Sequence, residues 1–156
     1  MNFTVAIQGF LIAVCLFTSA ATQGGAGATK TKAHMPCSNA EADEAINYLA
    51  RERAHTWNEV YDLYRKFAHC DDGAISEGFS AIIGRLLVDD WKHVSELNAF
   101  VRSTPAFESF VTSHIDEMTA LSEWRIVQKN VRHHCPPDAR DLCKAIDKTI
   151  SRLKKP

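Results

Sequence analysis

Residues 74–102 read AISEGFSAIIGRLLVDDWKHVSELNAFVR and carry the clearest structural pattern in the chain. The first half repeats apolar side chains at helical spacing, which predicts one wide apolar face made of Ile75, Phe79, Ile82, Ile83 and Leu86. Asp89 and Asp90 then end this helix and offer an N-cap to the next. The second half presents another apolar face, made of Trp91, Val94, Leu97 and Val101. Because almost no linker separates the two helices, they are expected to fold back antiparallel, which predicts an all-α protein.

Two helices are predicted before this stretch. Ser38 or Asn39 caps the first, which runs to about Arg53 and carries acidic side chains near its start. Thr56 begins the second helix, and Glu59 follows three residues later, at the spacing of a capping box.

Three helices are predicted after it. Thr104 is expected as the N-cap of the fifth helix, with Pro105 at its first position. A sixth helix follows, and the Pro136-Pro137 pair separates it from the last. The sequence has no alternating run typical of a strand. We therefore predict one all-α domain over residues 38–156, with six to seven short amphipathic helices stacked as antiparallel hairpins, in a bundle or a short solenoid.

The amino-terminal segment has the pattern of a secretory signal peptide. Residues 5–21 are almost entirely apolar, and small residues suited to signal cleavage follow them. We predict that residues 1–28 are a cleaved signal peptide and that residues 29–37 form a flexible leader. The mature protein would be periplasmic or extracellular, without stable membrane association. Two alternatives are a retained membrane anchor and a lipid-modified Cys15.

Four cysteines follow the predicted signal peptide, and an even number in an oxidising compartment indicates two disulfides. Cys37 precedes the first helix and Cys70 follows the second, so an antiparallel hairpin would place them at the same end. Cys135 and Cys143 flank the turn at Pro136-Pro137 and lie close along the chain. Hairpin geometry therefore favours Cys37–Cys70 and Cys135–Cys143 among the three possible pairings.

The charge distribution argues against nucleic-acid binding. The chain has 18 Lys and Arg against 19 Asp and Glu, and the two signs are interleaved along it. A nucleic-acid-binding protein usually concentrates basic residues on one face. We therefore expect no nucleic-acid partner.

The candidates for catalysis or metal binding all have simpler explanations. The His133-His134-Cys135 cluster is the densest group of potential metal ligands, but neighbouring histidines on a helix point about 100° apart. The carboxylate pairs 71–72, 89–90 and 116–117 lie at predicted helix junctions, where capping accounts for them. We therefore expect no catalytic residue, metal or cofactor.

An aromatic stripe and an acidic junction are the candidates for a contact surface. Trp57, Tyr61 and Tyr64 share one side of the second helix and form either core or the lining of an apolar ligand pocket. Asp89 and Asp90 form an acidic junction that could meet a partner.

Three functional classes are compatible with these observations. The first is a non-catalytic module that binds another protein, as an inhibitor, an immunity-type protein or a scaffold. The second is a carrier that holds a small apolar ligand between helices. The third is an enzyme of a type that no motif specifies.

Overall fold

The computed structural model describes residues 36–50 and 54–153, which form seven α-helices and no strand. The predicted signal peptide, residues 1–28, and nearly all of the predicted leader lie outside the described residues. The helices are α1 (Asn39–Leu49), α2 (Trp57–Phe67), α3 (Gly73–Asp89), α4 (Val94–Ser103), α5 (Pro105–Ser113), α6 (Leu121–His133) and α7 (Arg140–Leu153). Short 3-10 turns lie at Ala68–Cys70, Trp91–His93 and Pro137–Ala139. The all-α prediction is confirmed, and none of the described helices has the length and apolar content needed to cross a bilayer.

The starts of α1 and α2 are determined by local sequence. The Thr56 hydroxyl accepts a hydrogen bond from the Glu59 amide at 3.3 Å, and the Glu59 carboxylate accepts one from the Thr56 amide at 3.0 Å. This confirms the predicted capping box. Ser38 and Glu41 form the same reciprocal pair at the start of α1. Each box satisfies amide groups that a helix start would otherwise leave without partners.

One predicted cap is wrong, and another has the predicted position without a side-chain capping bond. The Asp90 side chain does not cap α4, because the 3-10 turn Trp91–His93 comes between them and the carboxylate lies 2.7 Å from the His93 Nδ1. Thr104 precedes Pro105 as expected, yet its hydroxyl makes no capping bond and instead lies 2.6 Å from the Tyr61 hydroxyl. In both cases the side chain contacts another side chain and not the free amide groups at the start of the helix.

Helix α3 is the central element of the fold. It packs mainly against α1 and α6, whereas α4 packs mainly against α2 and α5. The two halves of the 74–102 stretch therefore bury their apolar faces chiefly against helices outside it. The central residues of α3 are almost fully buried, namely Phe79, Ile82, Ile83, Leu86 and Leu87.

Two glycines allow close packing along α3. A Cβ atom at Gly78 would lie 2.7 Å from the Cβ of Leu49 on α1. A Cβ atom at Gly84 would overlap the Thr119 hydroxyl oxygen, which lies in the loop before α6. Neither neighbour could stay in place if α3 carried a larger residue at these positions.

Both predicted disulfides are present. Cys37 and Cys70 have Cα atoms 4.9 Å apart, and Cys135 and Cys143 have Cα atoms 6.3 Å apart. The first joins the start of α1 to the 3-10 turn after α2, and the second closes the turn between α6 and α7. Chain-entropy arguments assign about 3–4 kcal/mol of stabilisation to the longer loop and about 2.5 kcal/mol to the shorter.

Replacing Leu86 with alanine tests the central position of α3. The Leu86 side chain is 2% exposed, so we expect its truncation to lower the free energy of unfolding by about 2–5 kcal/mol, through lost burial and a new cavity. Leu121→Ala on α6 is the matched control, because that leucine is 49% exposed. Urea denaturation of both variants is the measurement, and equal losses would contradict the assigned core.

The capping box of α2 predicts a pH dependence. Backbone hydrogen bonding, chiefly from the His55 amide, lowers the pKa of Glu59 below its ordinary value of 4.5. A carboxylate with a depressed folded-state pKa stabilises the fold above the unfolded-state pKa, and this stability is lost as pH falls through the folded-state pKa. We expect the stability difference between wild type and Glu59→Gln to be largest at neutral pH and to shrink below pH 4.5. Thermal denaturation across acidic pH measures it, and a constant difference would contradict the assignment.

Candidate functional site

The predicted aromatic surface is mostly interior. Trp57 is 1% exposed, which agrees with the core alternative for this residue. Tyr61 and Tyr64 are half-buried and pack in a cluster of rings contributed by α2, α4 and α5. Tyr61 stacks on Phe100 with ring centroids 4.5 Å apart, and Tyr64 lies 4.9 Å from Phe107. The stripe is aromatic core, because α4 and α5 cover the side of α2 that sequence periodicity left open.

The two junction aspartates have different surroundings. Asp90 is oriented by His93, as described above, and its side chain is 22% exposed. Asp89 is exposed and borders a surface hollow together with Val88 and Met118. Of the two predicted contact residues, Asp89 is therefore the one that lies beside a concave surface.

Two adjoining hollows run along the outer face of α3. One has a volume of about 330 Å³ and lies between α1 and α3, where Ile46, Ala74 and Gly78 line it. The other has a volume of about 320 Å³ and lies between α3 and the segment before α6. Ala81 and Arg85 line both hollows, so the two adjoin along α3. We call this surface, from Ile46 to Met118, the α3 groove.

The floor of the α3 groove is apolar because α3 presents small side chains there. Ala74, Gly78 and Ala81 follow one another at helical spacing on its outer side. The walls are large apolar side chains, since Ile46 is 41% exposed and Met118 is 57% exposed. Apolar side chains in this concave arrangement can bury another apolar surface.

The charged residues that line the α3 groove are predominantly acidic. Glu77, Asp89 and Glu123 contribute carboxylates. Arg85 is the cation among the lining residues, and its guanidinium donates a 2.6 Å hydrogen bond to the Ala54 carbonyl. Three carboxylates against one guanidinium favour a positively charged occupant. Of the residues that line the α3 groove, the sequence pointed to Asp89 alone. The others come together only when α1, α3 and the α5–α6 loop pack against one another.

A third hollow lies between α1 and α2 and has a volume of about 510 Å³. Its floor includes the buried residues Leu63 and Phe67, and its edges include Glu59, Asp62 and Lys66. The aromatic stripe of α2 does not line this hollow. Its edge is charged, so it differs from the apolar pocket expected of an apolar-ligand carrier.

A buried histidine contacts an aspartate near the first disulfide. His114 is 2% exposed, its Nε2 lies 3.1 Å from the Asp71 carboxylate, and its Nδ1 lies 2.8 Å from the Phe110 carbonyl. The neighbouring Ser113 hydroxyl donates to the same carbonyl at 2.8 Å and is 3.4 Å from Nδ1. Serine, histidine and aspartate thus meet, yet both ring nitrogens are engaged and the ring is closed to substrate. The arrangement links α5 to the turn after Cys70 and does not form a nucleophilic site.

One group of potential metal ligands occurs among the described residues. It consists of Cys37, His69 and Cys70, whose ligand atoms all lie within 4.8 Å of one another. His133 and His134, the densest histidine cluster in the sequence, are exposed and their ring centroids are 6.4 Å apart. Sequence spacing could not indicate the first group, because Cys37 reaches the other two only through the fold of α1 against α2.

Comparison of the chain with protein-family models, with curated proteins and with solved structures finds no match. The fold and these sites are therefore interpreted from their own geometry.

Proposed function

We propose that this protein is an exported, non-catalytic module that binds another protein through the α3 groove. The observation that carries the proposal is a concave surface along α3, mainly apolar between α1 and α3, with predominantly acidic charges among its lining residues. Ile46 lines the first hollow and Met118 lines the second, and large exposed apolar side chains in concave surfaces commonly mark an interaction site. Two disulfides support an oxidising compartment, in agreement with the signal-like pattern of residues 1–28.

The groove favours an amphipathic helix as the partner segment. Small residues at the floor allow a second helix to approach α3 closely, in the way that helices lie in apolar grooves elsewhere. Ile46 and Met118 would then pack on the apolar face of the partner. The carboxylates of Glu77, Asp89 and Glu123 would meet lysine or arginine at the flanks of that helix. The partner is therefore expected to present apolar residues at helical spacing, flanked by basic ones.

Filling the groove tests the proposal. Arginine at position 81 would place a long cationic side chain on the exposed, central floor residue, so we expect Ala81→Arg to abolish partner binding. Ala99→Arg is the matched control, because Ala99 is also an exposed helical alanine but lies on α4, outside the groove. The measurement is affinity isolation of the partner from the native exported fraction with each full-length variant.

The outcome is read from the difference between the variants. A stoichiometric protein retained by wild type and Ala99→Arg, but lost from Ala81→Arg, supports the proposal. A protein retained equally by all three would place binding elsewhere on the surface. A small molecule released in place of any protein would favour the carrier.

Charge at the edge of the α3 groove should change the affinity for the partner. Glu123 lies at the start of α6 and its carboxylate accepts a hydrogen bond from the Ala120 amide at 3.1 Å. We expect Glu123→Gln to preserve much of this cap while weakening binding of a basic partner, with the largest effect at low ionic strength. Calorimetric titration of the isolated partner at low and high salt measures this. A salt-independent affinity in wild type would contradict the basic character of the partner.

The hollow between α1 and α2 supports a carrier as the second candidate function. Its volume of about 510 Å³ lies within the range of small-molecule sites. Its charged edge favours a ligand that has both an apolar body and a polar or charged end. Such a ligand would contact Leu63 and Phe67 with its body and Lys66 or Asp62 with its end.

A further inference from the structure

The corner where α1 begins and α2 ends brings together two sulfurs, an imidazole and a carboxylate. The sulfurs of Cys37 and Cys70 and a ring nitrogen of His69 lie within 4.8 Å of one another. Thiolates bound to a tetrahedral zinc ion, at about 2.3 Å from it, stand about 3.8 Å apart. Separation of the two disulfide sulfurs to that distance needs a small local movement, and the histidine is already within reach.

The His69 ring has a buried nitrogen with no conventional hydrogen bond among the described residues. Its Nε2 is inaccessible to solvent and lies 3.3 Å from the Oε1 of Glu41, which is its one close polar partner among the described residues. A buried polar atom usually has a well-directed hydrogen bond, and the geometry of this contact is poor.

The Glu41 carboxylate is oriented toward this histidine by the capping box of α1. Its Oε2 accepts hydrogen bonds from the Ser38 amide at 3.0 Å and from the Ser38 hydroxyl at 2.6 Å, which leaves Oε1 facing His69. Glu41 is not one of the close group of potential ligands, but its Oε1 can accept a hydrogen bond from Nε2–H when Nδ1 binds the ion, as carboxylates do for zinc-bound histidines. Glu41 therefore has the place of a carboxylate that orients the histidine.

We propose that the reduced form of this corner is a zinc site with Cys37, His69 and Cys70 as protein ligands and Glu41 as their carboxylate partner. A dithiol reductant donates two electrons and two protons, breaks the sulfur–sulfur bond and becomes a disulfide itself. Zinc then binds the two cysteine sulfurs as thiolates and releases their two protons to solvent. Two thiolates and an imidazole form a borderline-soft ligand set that suits zinc and disfavours calcium or magnesium.

The zinc ion would replace the covalent link with a coordinate one at the same place. The disulfide joins residue 37, before α1, to residue 70, after α2. An ion held by the same two sulfurs joins the same two points. The start of α1 would thus stay attached to the end of α2 in both oxidising and reducing surroundings.

Cobalt binding to the reduced protein tests this site. The full chain, with Cys15→Ser in every sample, is reduced with a tertiary phosphine, which is then removed without oxygen. We expect one Co²⁺ per chain, with intense thiolate-to-cobalt absorption in the near ultraviolet and visible bands of tetrahedral cobalt, all of which zinc abolishes. The oxidised protein should show none of these bands. His69→Ala should weaken cobalt binding by about tenfold or more.

The second disulfide supplies matched controls. His134 precedes Cys135 just as His69 precedes Cys70, so His134→Ala should leave cobalt binding unchanged. The Cys135→Ser/Cys143→Ser pair should likewise keep the bands. If the reduced wild-type protein shows no cobalt bands, whether or not it remains helical, the proposal is overturned. Bands that survive His69→Ala unchanged but disappear with Cys135→Ser/Cys143→Ser would also overturn it, because they would place the metal at the other end of the domain.

Discussion

The close packing of α1 and the α5–α6 loop against α3 is the constraint on which the rest of this structure depends. At Gly78 the neighbour is Leu49 of α1, and at Gly84 it is Thr119. Because α3 has no side chain at these two positions, both neighbours approach its backbone directly. The α3 groove follows from this arrangement, since the small side chain of Ala81 is the exposed one between the two contacts, and Ile46 and Met118 are exposed in the neighbouring elements.

Local sequence was sufficient for much of the fold. Helical periodicity located all seven helices, because amphipathic faces and helix breakers act over a few residues. The Thr56–Glu59 capping box was predicted because its two members are three residues apart. The disulfide pairing needed only the geometry of one hairpin and one short turn. Each of these predictions rests on contacts that are either near in sequence or restricted by chain connectivity.

The features that the sequence did not determine share a different cause. Thr104 is the N-cap residue of α5, as predicted, but its hydroxyl lies against Tyr61, which is 43 residues away in the chain. Periodicity left Tyr61 and Tyr64 as either core or surface, and α4 and α5 cover them. The α3 groove and the His69 corner were missed for the same reason, since each collects residues from separate helices. Long-range packing decides such cases, and periodicity within a single helix carries no information about it.

Helix α1 connects the two candidate sites. Glu41 near its start faces the His69 corner, and Ile46, five residues later, forms a wall of the α3 groove. The helix has a modest apolar face, with Ala45 and Leu49 as its buried residues, and Leu49 packs directly on Gly78 of α3. The link between Cys37 and Cys70 supplies further restraint at its beginning. The position of the groove wall therefore depends on two contacts of α1, its packing on α3 and its link to the end of α2.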